Sequence, residues 1–93
     1  MRVRDFLTCN PPEFYGSKPA EDPQEFIRQM LRTLRVTKSS ETESVELASY
    51  RLRDVAVNWY ESWELSRGED APPAVWDEFV EAFLGHFLPP EMR

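Results

Sequence analysis

Two stretches decide the fold of this chain: LRDVAVNWY at residues 52–60 and PAVWDEFVEAFLGHF at residues 73–87. Their apolar side chains recur every three to four residues, which is the period of one face of an α-helix. Such a stripe is more often buried core than a ligand site, so we expect the two helices to pack together, with Trp59 facing the second stripe. The aromatic residues at helical spacing are Trp59, Trp63, Trp76, Phe79, Phe83 and Phe87.

A helix start precedes these stretches at residues 22–25. Asp22 is a favoured N-cap, Pro23 suits the first helical position, and Glu25 stands three residues after the cap, where it would complete a capping box. The helix that follows is expected to end near Arg35, before a β-branched and polar run.

The region 40–66 predicts either one long helix or two helices that meet near Asp54, with Ser40 or Thr42 as the N-cap. A turn rich in Gly and Pro separates this region from a last helix, which we expect over about residues 74–86.

The N-terminal segment, residues 1–21, is predicted to be extended. Pro11 and Pro12 exclude a helix at their positions, because each ring removes a donor and restricts the residue before it. Its aromatic side chains are too apolar for a free tail, so we expect the segment to lie across the helices. A strand-like stretch or a short hairpin there is compatible with this expectation. The predicted fold is all-α: a small bundle of three to five helices within 22–88, with this segment packed on it.

Composition places the chain among small globular proteins. Its 93 residues predict one domain, and 41% hydrophobic with 30% charged residues is typical of a folded chain. No apolar run is long enough for a membrane span or a secretory signal. We therefore expect an intracellular, cytoplasmic protein. Cys9 is the only cysteine, which excludes an internal disulfide bond.

The residue types needed for catalysis are missing or scattered. His86 is the only histidine, and no Cys or His stands at metal-ligand spacing. Cys9 and His86 could be imagined as a nucleophile and its base, but no orienting motif accompanies them. The three glycines are isolated, so no phosphate-binding loop is present. The sequence therefore predicts neither an enzyme nor a protein with a metal ion or other cofactor.

Charge is spread unevenly along the chain, which has a net charge of −6. Residues 1–38 carry seven Lys or Arg against five Asp or Glu, whereas residues 39–93 carry four against twelve. Nucleic-acid binding depends on clustered cations. The basic residues of the first long helix are interpreted as a solvated face instead, so direct nucleic-acid binding is not expected. These residues are Arg28, Arg32, Arg35 and Lys38.

Five motifs, in this order and spacing, resemble the retrotransposon gag family, and more specifically the N-terminal capsid lobe of a gypsy-type long-terminal-repeat retrotransposon or of a domesticated gag-derived protein. Asp54 stands where the family commonly has Gly, and Tyr60 where it has a second Trp, so Tyr60 is expected to reach water or a polar partner. The motifs are Pro12-x-Phe14-x-Gly16, Asp22-Pro23, Phe26-Ile27, Leu52-x-x-x-Ala56-x-x-Trp59-Tyr60 and Trp76-x-x-Phe79-x-x-x-Phe83-x-x-x-Phe87-x-Pro89.

The resemblance implies a structural protein that takes part in assembling the shell of a virus-like particle. Its partners would be other capsid subunits, held by weak ring contacts, so the isolated lobe should be a monomer. The resemblance also implies that a linker to a second lobe begins at residues 89–93. The motif residues expected in the core are Leu52, Ala56, Trp59, Trp76, Phe79, Phe83 and Phe87.

An alternative from the same resemblance is a domesticated lobe that acts as an adaptor. It would bind short peptides in an apolar groove beside the N-terminal segment. This alternative weakens if residues 6–16 of the chain itself fill that groove. The candidate contact residues are Phe6, Phe14, Tyr15, Phe26, Tyr60 and Trp63.

Overall fold

The computed structural model of this protein describes residues 3–88, which form five α-helices and no strand. The prediction of a small all-α bundle is thereby confirmed. Region 40–66 contains two helices, separated by residues 50–53, and the second begins at Asp54. The predicted start of a linker at 89–93 lies outside the described residues. The helices are α1 (Val3–Thr8), α2 (Pro23–Thr37), α3 (Glu41–Ser49), α4 (Asp54–Arg67) and α5 (Trp76–Phe87).

The N-terminal segment differs from its prediction at its beginning. Residues Val3–Thr8 form α1 instead of extended chain, and this helix packs against α2. Phe6 explains the difference, because a helical turn places its ring in the core with no exposed surface. The helix ends where Asn10 adopts a left-handed conformation with φ of 51°. From there to α2 the chain has no helix, and its one β-bridge is parallel and joins Phe14 to Leu52.

The start of α2 is capped as predicted, although the predicted capping box does not form. Asp22 is the N-cap, and its Oδ1 accepts the backbone N–H of Gln24 at 2.9 Å. Glu25 does not reach back to the cap. Its carboxylate instead accepts hydrogen bonds from Arg28 and Gln29 one turn further along the helix.

The junction between α2 and α3 carries the capping box. α2 runs to Thr37, two residues beyond the expected end, and Lys38 closes it in a left-handed conformation with φ of 55°. Ser40 Oγ then accepts the Glu43 N–H at 3.2 Å, and Glu43 Oε1 accepts the Ser40 N–H at 3.0 Å. The hydrogen bonds with Ser40 hold the pKa of the Glu43 carboxyl below its ordinary value, and the bond from the Ser40 backbone N–H has the largest effect.

The helical run is interrupted between α3 and α4 at residues 50–53, which we call the break, and α4 then starts at a left-handed residue. Asp54, the first residue of α4, has φ of 52°. Its Oδ2 accepts a hydrogen bond from the Ser17 hydroxyl at 2.6 Å, so the side chain is tied to the N-terminal segment. A left-handed conformation costs least at Gly. This backbone geometry gives a physical reason for a Gly at this position.

Helix α5 lies at the centre of the bundle and packs against α2 and α3. Phe79 and Phe83 of α5 have no exposed surface. The ring of Phe83 lies 5.0 Å from that of Phe14 and 5.4 Å from that of Phe26, measured between centroids. The N-terminal segment, α2 and α5 therefore meet around one side chain.

Trp59 brings α4 onto the same core. Its half-buried ring lies 6.1 Å from Phe79, 5.8 Å from Phe83 and 5.5 Å from Phe87. Trp76 contacts Phe79 at 5.6 Å and makes no ring contact with Trp59 within residues 3–88. Trp59 thus faces the last three members of the α5 stripe.

The connection between α4 and α5 is held by Arg67. Its guanidinium donates to the Pro72 carbonyl at 3.0 Å, pairs with Glu78 at 3.2 Å and lies 5.1 Å from the ring centre of Trp63. Hydrogen bonds to the Glu78 carboxylate hold its pKa below the ordinary value. The bond from the Val75 N–H has the larger effect, and the bond from the Arg67 side chain adds to it.

Replacing Trp59 by Ala is expected to lower the free energy of unfolding by about 2–4 kcal/mol, because the change leaves a cavity beside three α5 aromatics. Chemical denaturation with urea measures this. Leu65→Ala is the matched control on the same helix; its side chain is exposed, so we expect a change within about 0.5 kcal/mol. Equal effects of the two substitutions would contradict the place of Trp59 in the core.

At position 54 we expect Gly to be more stable than Ala, which is the reverse of the usual preference within a helix. Asp54→Gly is expected to be more stable than Asp54→Ala by about 1 kcal/mol, because both lose the Ser17 bond but only Ala keeps the left-handed strain. The control is the same pair of substitutions at Asn58, an exposed residue within α4, where Ala should be the more stable by about 1 kcal/mol. Thermal unfolding of the four variants gives both orders, and an Ala advantage at position 54 would refute the argument.

Candidate functional site

The candidate contact residues divide into a buried and a partly exposed group. Phe6, Phe14, Phe26 and Tyr60 are buried in the core. The ring of Phe14, for example, is packed between α2 and α5, as described above. Tyr15 and Trp63 are only partly buried. Four of the six side chains are therefore mainly core residues. Two of these still border surface depressions: Phe14 lines a cavity of about 440 Å³ beside the N-terminal segment, and Tyr60 lines one of about 320 Å³ on α4.

The groove beside the helices is occupied by the chain's own residues 11–16, which we call the strap. Its backbone pairs with the break between α3 and α4. The Phe14 N–H donates to the Arg51 carbonyl at 3.0 Å, and the Phe14 carbonyl accepts the Arg53 N–H at 2.9 Å. The Tyr15 carbonyl accepts the Ala56 N–H at 2.9 Å. These are the bonds that an added peptide strand would make, and the strap makes them itself.

Arg51 fastens the beginning of the strap. Its Nη2 donates to the Pro11 carbonyl at 3.0 Å and its Nε to the Pro12 carbonyl at 3.4 Å. Glu13, between these contacts and Phe14, pairs with Arg51 at 3.4 Å and with Arg53 at 3.0 Å. The side chain of Arg51 is largely buried, so these bonds are shielded from water more than those of an ordinary surface pair.

Glu21 fastens the end of the strap. Its two carboxylate oxygens accept the N–H groups of Tyr15 at 2.8 Å and Gly16 at 2.9 Å. Gly16 has φ of 81°, and a Cβ there would lie 2.9 Å from the Phe87 ring and 3.2 Å from the Ala56 nitrogen. Only Gly fits at this turn of the strap, which is packed between Ala56 of α4 and Phe87 of α5.

Sequence reasoning found Gly16 through its motif but missed Arg51 and Glu21. Glu21 stands just before the N-cap of α2, and Arg51 in the interhelical break, with no periodicity or motif to single them out. Both act on backbone groups of the strap, and no sequence pattern reports such a contact in advance.

Tyr60 was expected to reach water or a polar partner. Its hydroxyl donates to Glu64, one turn along the same helix, while the ring is buried and 6.1 Å from Phe79. Burial, and then the bond to the Glu64 carboxylate, raise the pKa of the Tyr60 hydroxyl well above its usual range. The polar partner is therefore intramolecular, and Tyr60 is not a free surface contact.

Trp63 belongs to a stack of flat groups along the outer side of α4 and α5. Its ring lies 5.9 Å from that of Trp59 with an angle of 11° between them. The exposed ring of His86 also stacks with Trp59, at a centroid distance of 5.7 Å. The guanidinium of Arg67 lies over the Trp63 ring at the opposite end of the stack, so the partly exposed Trp63 is screened in part by this charge.

Within residues 3–88, no group of three or more His, Cys, Asp or Glu side chains is arranged to hold a metal ion. None of the helices described is both long enough and apolar enough to cross a membrane.

Comparison with known proteins identifies the family. The family described as the N-terminal capsid-like domain of the retrotransposon-derived protein PEG10 matches residues 8–88, nearly the whole chain. The chain matches no curated protein and no solved structure. This family is one of structural capsid domains rather than enzymes. The matched range includes the strap, its two anchors and helices α2 to α5. The chain therefore belongs to the family of retrotransposon-derived, gag-like N-terminal capsid domains.

Proposed function

We propose that this domain is a subunit lobe that takes part in building a shell of repeated copies, as in a virus-like particle. The observation that carries the proposal is the family match over residues 8–88. The packing supports the proposal, since most of the aromatic residues pack in or against the core and the strap pairs with the interruption between α3 and α4. Such a lobe meets its partners through its outer helix faces.

The closed strap favours this role over the peptide adaptor. A peptide that entered the groove as an added strand would have to displace residues 11–16. It would lose the backbone bonds of Phe14 and Tyr15, the anchors at Arg51 and Glu21, and the seat of Phe14 in the core. Each buried donor left without a partner costs about 1–3 kcal/mol.

Weak pairwise contacts suit a shell, because many identical contacts act together once the subunits are linked. The net charge of −6 acts in the same direction by opposing association of free lobes. We therefore expect the chain to sediment as a monomer at micromolar concentration. A tight dimer would count against weak ring contacts.

The assembly role can be tested by supplying a second linkage. The chain is fused through its C-terminus to a dimeric coiled coil, so that weak lobe contacts and coil contacts together can extend a lattice. Electron microscopy and light scattering should detect large assemblies that vanish when the coil is replaced by a monomeric version of the same sequence. Fusions that remain simple dimers at all concentrations and salt conditions would refute the proposed role.

The closed groove can be tested by hydrogen exchange. The amides of Phe14, Arg53 and Ala56 should be protected like those of the core, because each is bonded across the strap. Glu21→Gln should lower the free energy of unfolding by about 1–2 kcal/mol, because an amide offers one acceptor oxygen where the carboxylate offers two. Glu61→Gln, an exposed change of the same kind, is the control. Strap amides that exchange freely in a folded wild-type domain would favour the adaptor.

A further inference from the structure

Two aliphatic side chains stand out from the surface of the described residues. Leu65 on α4 is 83% exposed and Val36 on α2 is 72% exposed, more than any other large hydrophobic residue in this part of the chain. Both lie in the last turn of their helices. Neither helix needs an apolar residue there for its own packing.

The charged neighbours of these two residues follow one spacing with opposite signs. Arg32 and Arg35 precede Val36 by four and one residues, and Glu61 and Glu64 precede Leu65 by the same distances. Because both sites are helical, the same spacing gives the same geometry on the surface. We call the first set, Arg32, Arg35 and Val36, the basic patch. The second set, Glu61, Glu64 and Leu65, is the acidic patch.

Each patch lies beside a depression of the surface. The basic patch borders a cavity of about 440 Å³, which Cys9 and Pro12 close on the other side. The acidic patch lines a cavity of about 320 Å³ together with Tyr60. An exposed aliphatic side chain of either patch could enter the depression beside the other.

The charges of the patches are little used within the domain. Arg32, Arg35 and Glu61 make no side-chain hydrogen bond or ion pair within residues 3–88, and Glu64 has only the bond from the Tyr60 hydroxyl. The two patches do not pair with each other inside one copy. Each presents charge and an apolar centre outward.

We propose that the basic patch of one copy of this chain binds the acidic patch of a second copy. The charges match in sign and spacing, and the two aliphatic side chains meet at the centre of the contact. Because the two surfaces differ, the contact is heterologous, and repetition of it gives a ring if the rotation closes and a filament if it does not. The inference rests on the proposed assembly function, for which it names the contact.

The same charges make a second copy a better match than a nucleic acid. A phosphate backbone would find two arginines beside an exposed valine, and it would be repelled by a chain with a net charge of −6. A second copy supplies carboxylates at the matching spacing and a leucine for the valine. The contact is small and exposed to salt, so it should be weak in isolation.

Charge reversal tests the proposal. The variants are Arg32→Glu with Arg35→Glu, Glu61→Arg with Glu64→Arg, and all four changes in one chain, which keeps the net charge of −6. Sedimentation up to millimolar concentration, in low and high salt, measures the association. Each double variant should associate at least about 10-fold more weakly than wild type, and the fourfold variant should recover to within about 3-fold.

Matched reversals elsewhere control for net charge. Arg4→Glu with Arg28→Glu, and Glu69→Arg with Glu81→Arg, change exposed residues outside both patches by the same total charge. They should have much smaller effects than the patch variants. Association that is absent in wild type, unchanged in the patch variants, or not recovered in the fourfold variant would overturn the proposal. Binding of single-stranded RNA that Arg32→Glu with Arg35→Glu abolishes would overturn it as well.

Cross-linking tests the pairing directly. In a Cys9→Ser background, Val36→Cys and Leu65→Cys chains are mixed and oxidised, and position 36 should join position 65 faster than either position joins itself. Tyr50→Cys, also exposed, replaces one partner as the control. Preferred 36–36 or 65–65 products would show a different, symmetric contact and overturn the proposal.

The patch variants also separate this inference from the assembly function. They are placed in the coiled-coil fusion described above. If the fusions assemble equally well with and without the reversals, the patch contact is wrong and the assembly role stands. If no fusion assembles at all, the assembly role itself fails.

Discussion

The packing of the Phe14 ring between α2 and α5 is the contact on which the rest of the domain depends. Its ring lies 5.0–5.4 Å from the rings of Phe26, Phe83 and Phe87. Aromatic pairs of this kind contribute about 0.5–1.5 kcal/mol each beyond the area that they bury. Because the Phe14 side chain is buried, the backbone next to it is drawn against the helices, and its N–H and C=O groups then need hydrogen-bond partners. The break between α3 and α4 supplies them, which is why the chain leaves the helix there and turns through a left-handed Asp54.

The polar anchors of the strap follow from the same requirement. Paired prolines keep residues 11 and 12 out of a helix, so their carbonyls cannot be satisfied by a helical turn. Arg51 reaches those carbonyls, and Glu21 accepts the two N–H groups where the strap turns at Gly16. Within the described residues, no buried side-chain nitrogen or oxygen lacks a partner. The strap therefore behaves as part of the core, although it has almost no regular secondary structure.

Periodicity and capping chemistry were enough to predict helix in the regions of α2 to α5, because apolar stripes repeat there and Asp22 is a strong cap. They left open whether region 40–66 was one helix or two, since the interruption depends on contacts with the distant strap. The short α1 was missed, since six residues hold one buried ring, Phe6, and no repeat. Tyr60 has the polar partner that was expected for it, but this partner is Glu64, one turn away on the same helix, and the choice between water and a protein partner did not follow from the sequence. Arg51 bonds carbonyls 39 and 40 residues away, which a local pattern does not reveal. Glu21 bonds amides only five and six residues away, but they belong to a turn without periodicity.

A domain built in this way has most of its aromatic residues wholly or partly in the core, and this limits how it can meet other molecules. The apolar groups left for recognition are single side chains such as Val36 and Leu65, each surrounded by charge. Contacts between such small mixed surfaces are individually weak, and salt weakens them further. Weak contacts would suit the proposed shell, because a misplaced subunit could leave before its neighbours fix it in place. In the proposed shell, affinity would come from the number of contacts that each subunit makes at once, and the charge pattern would determine which surfaces meet.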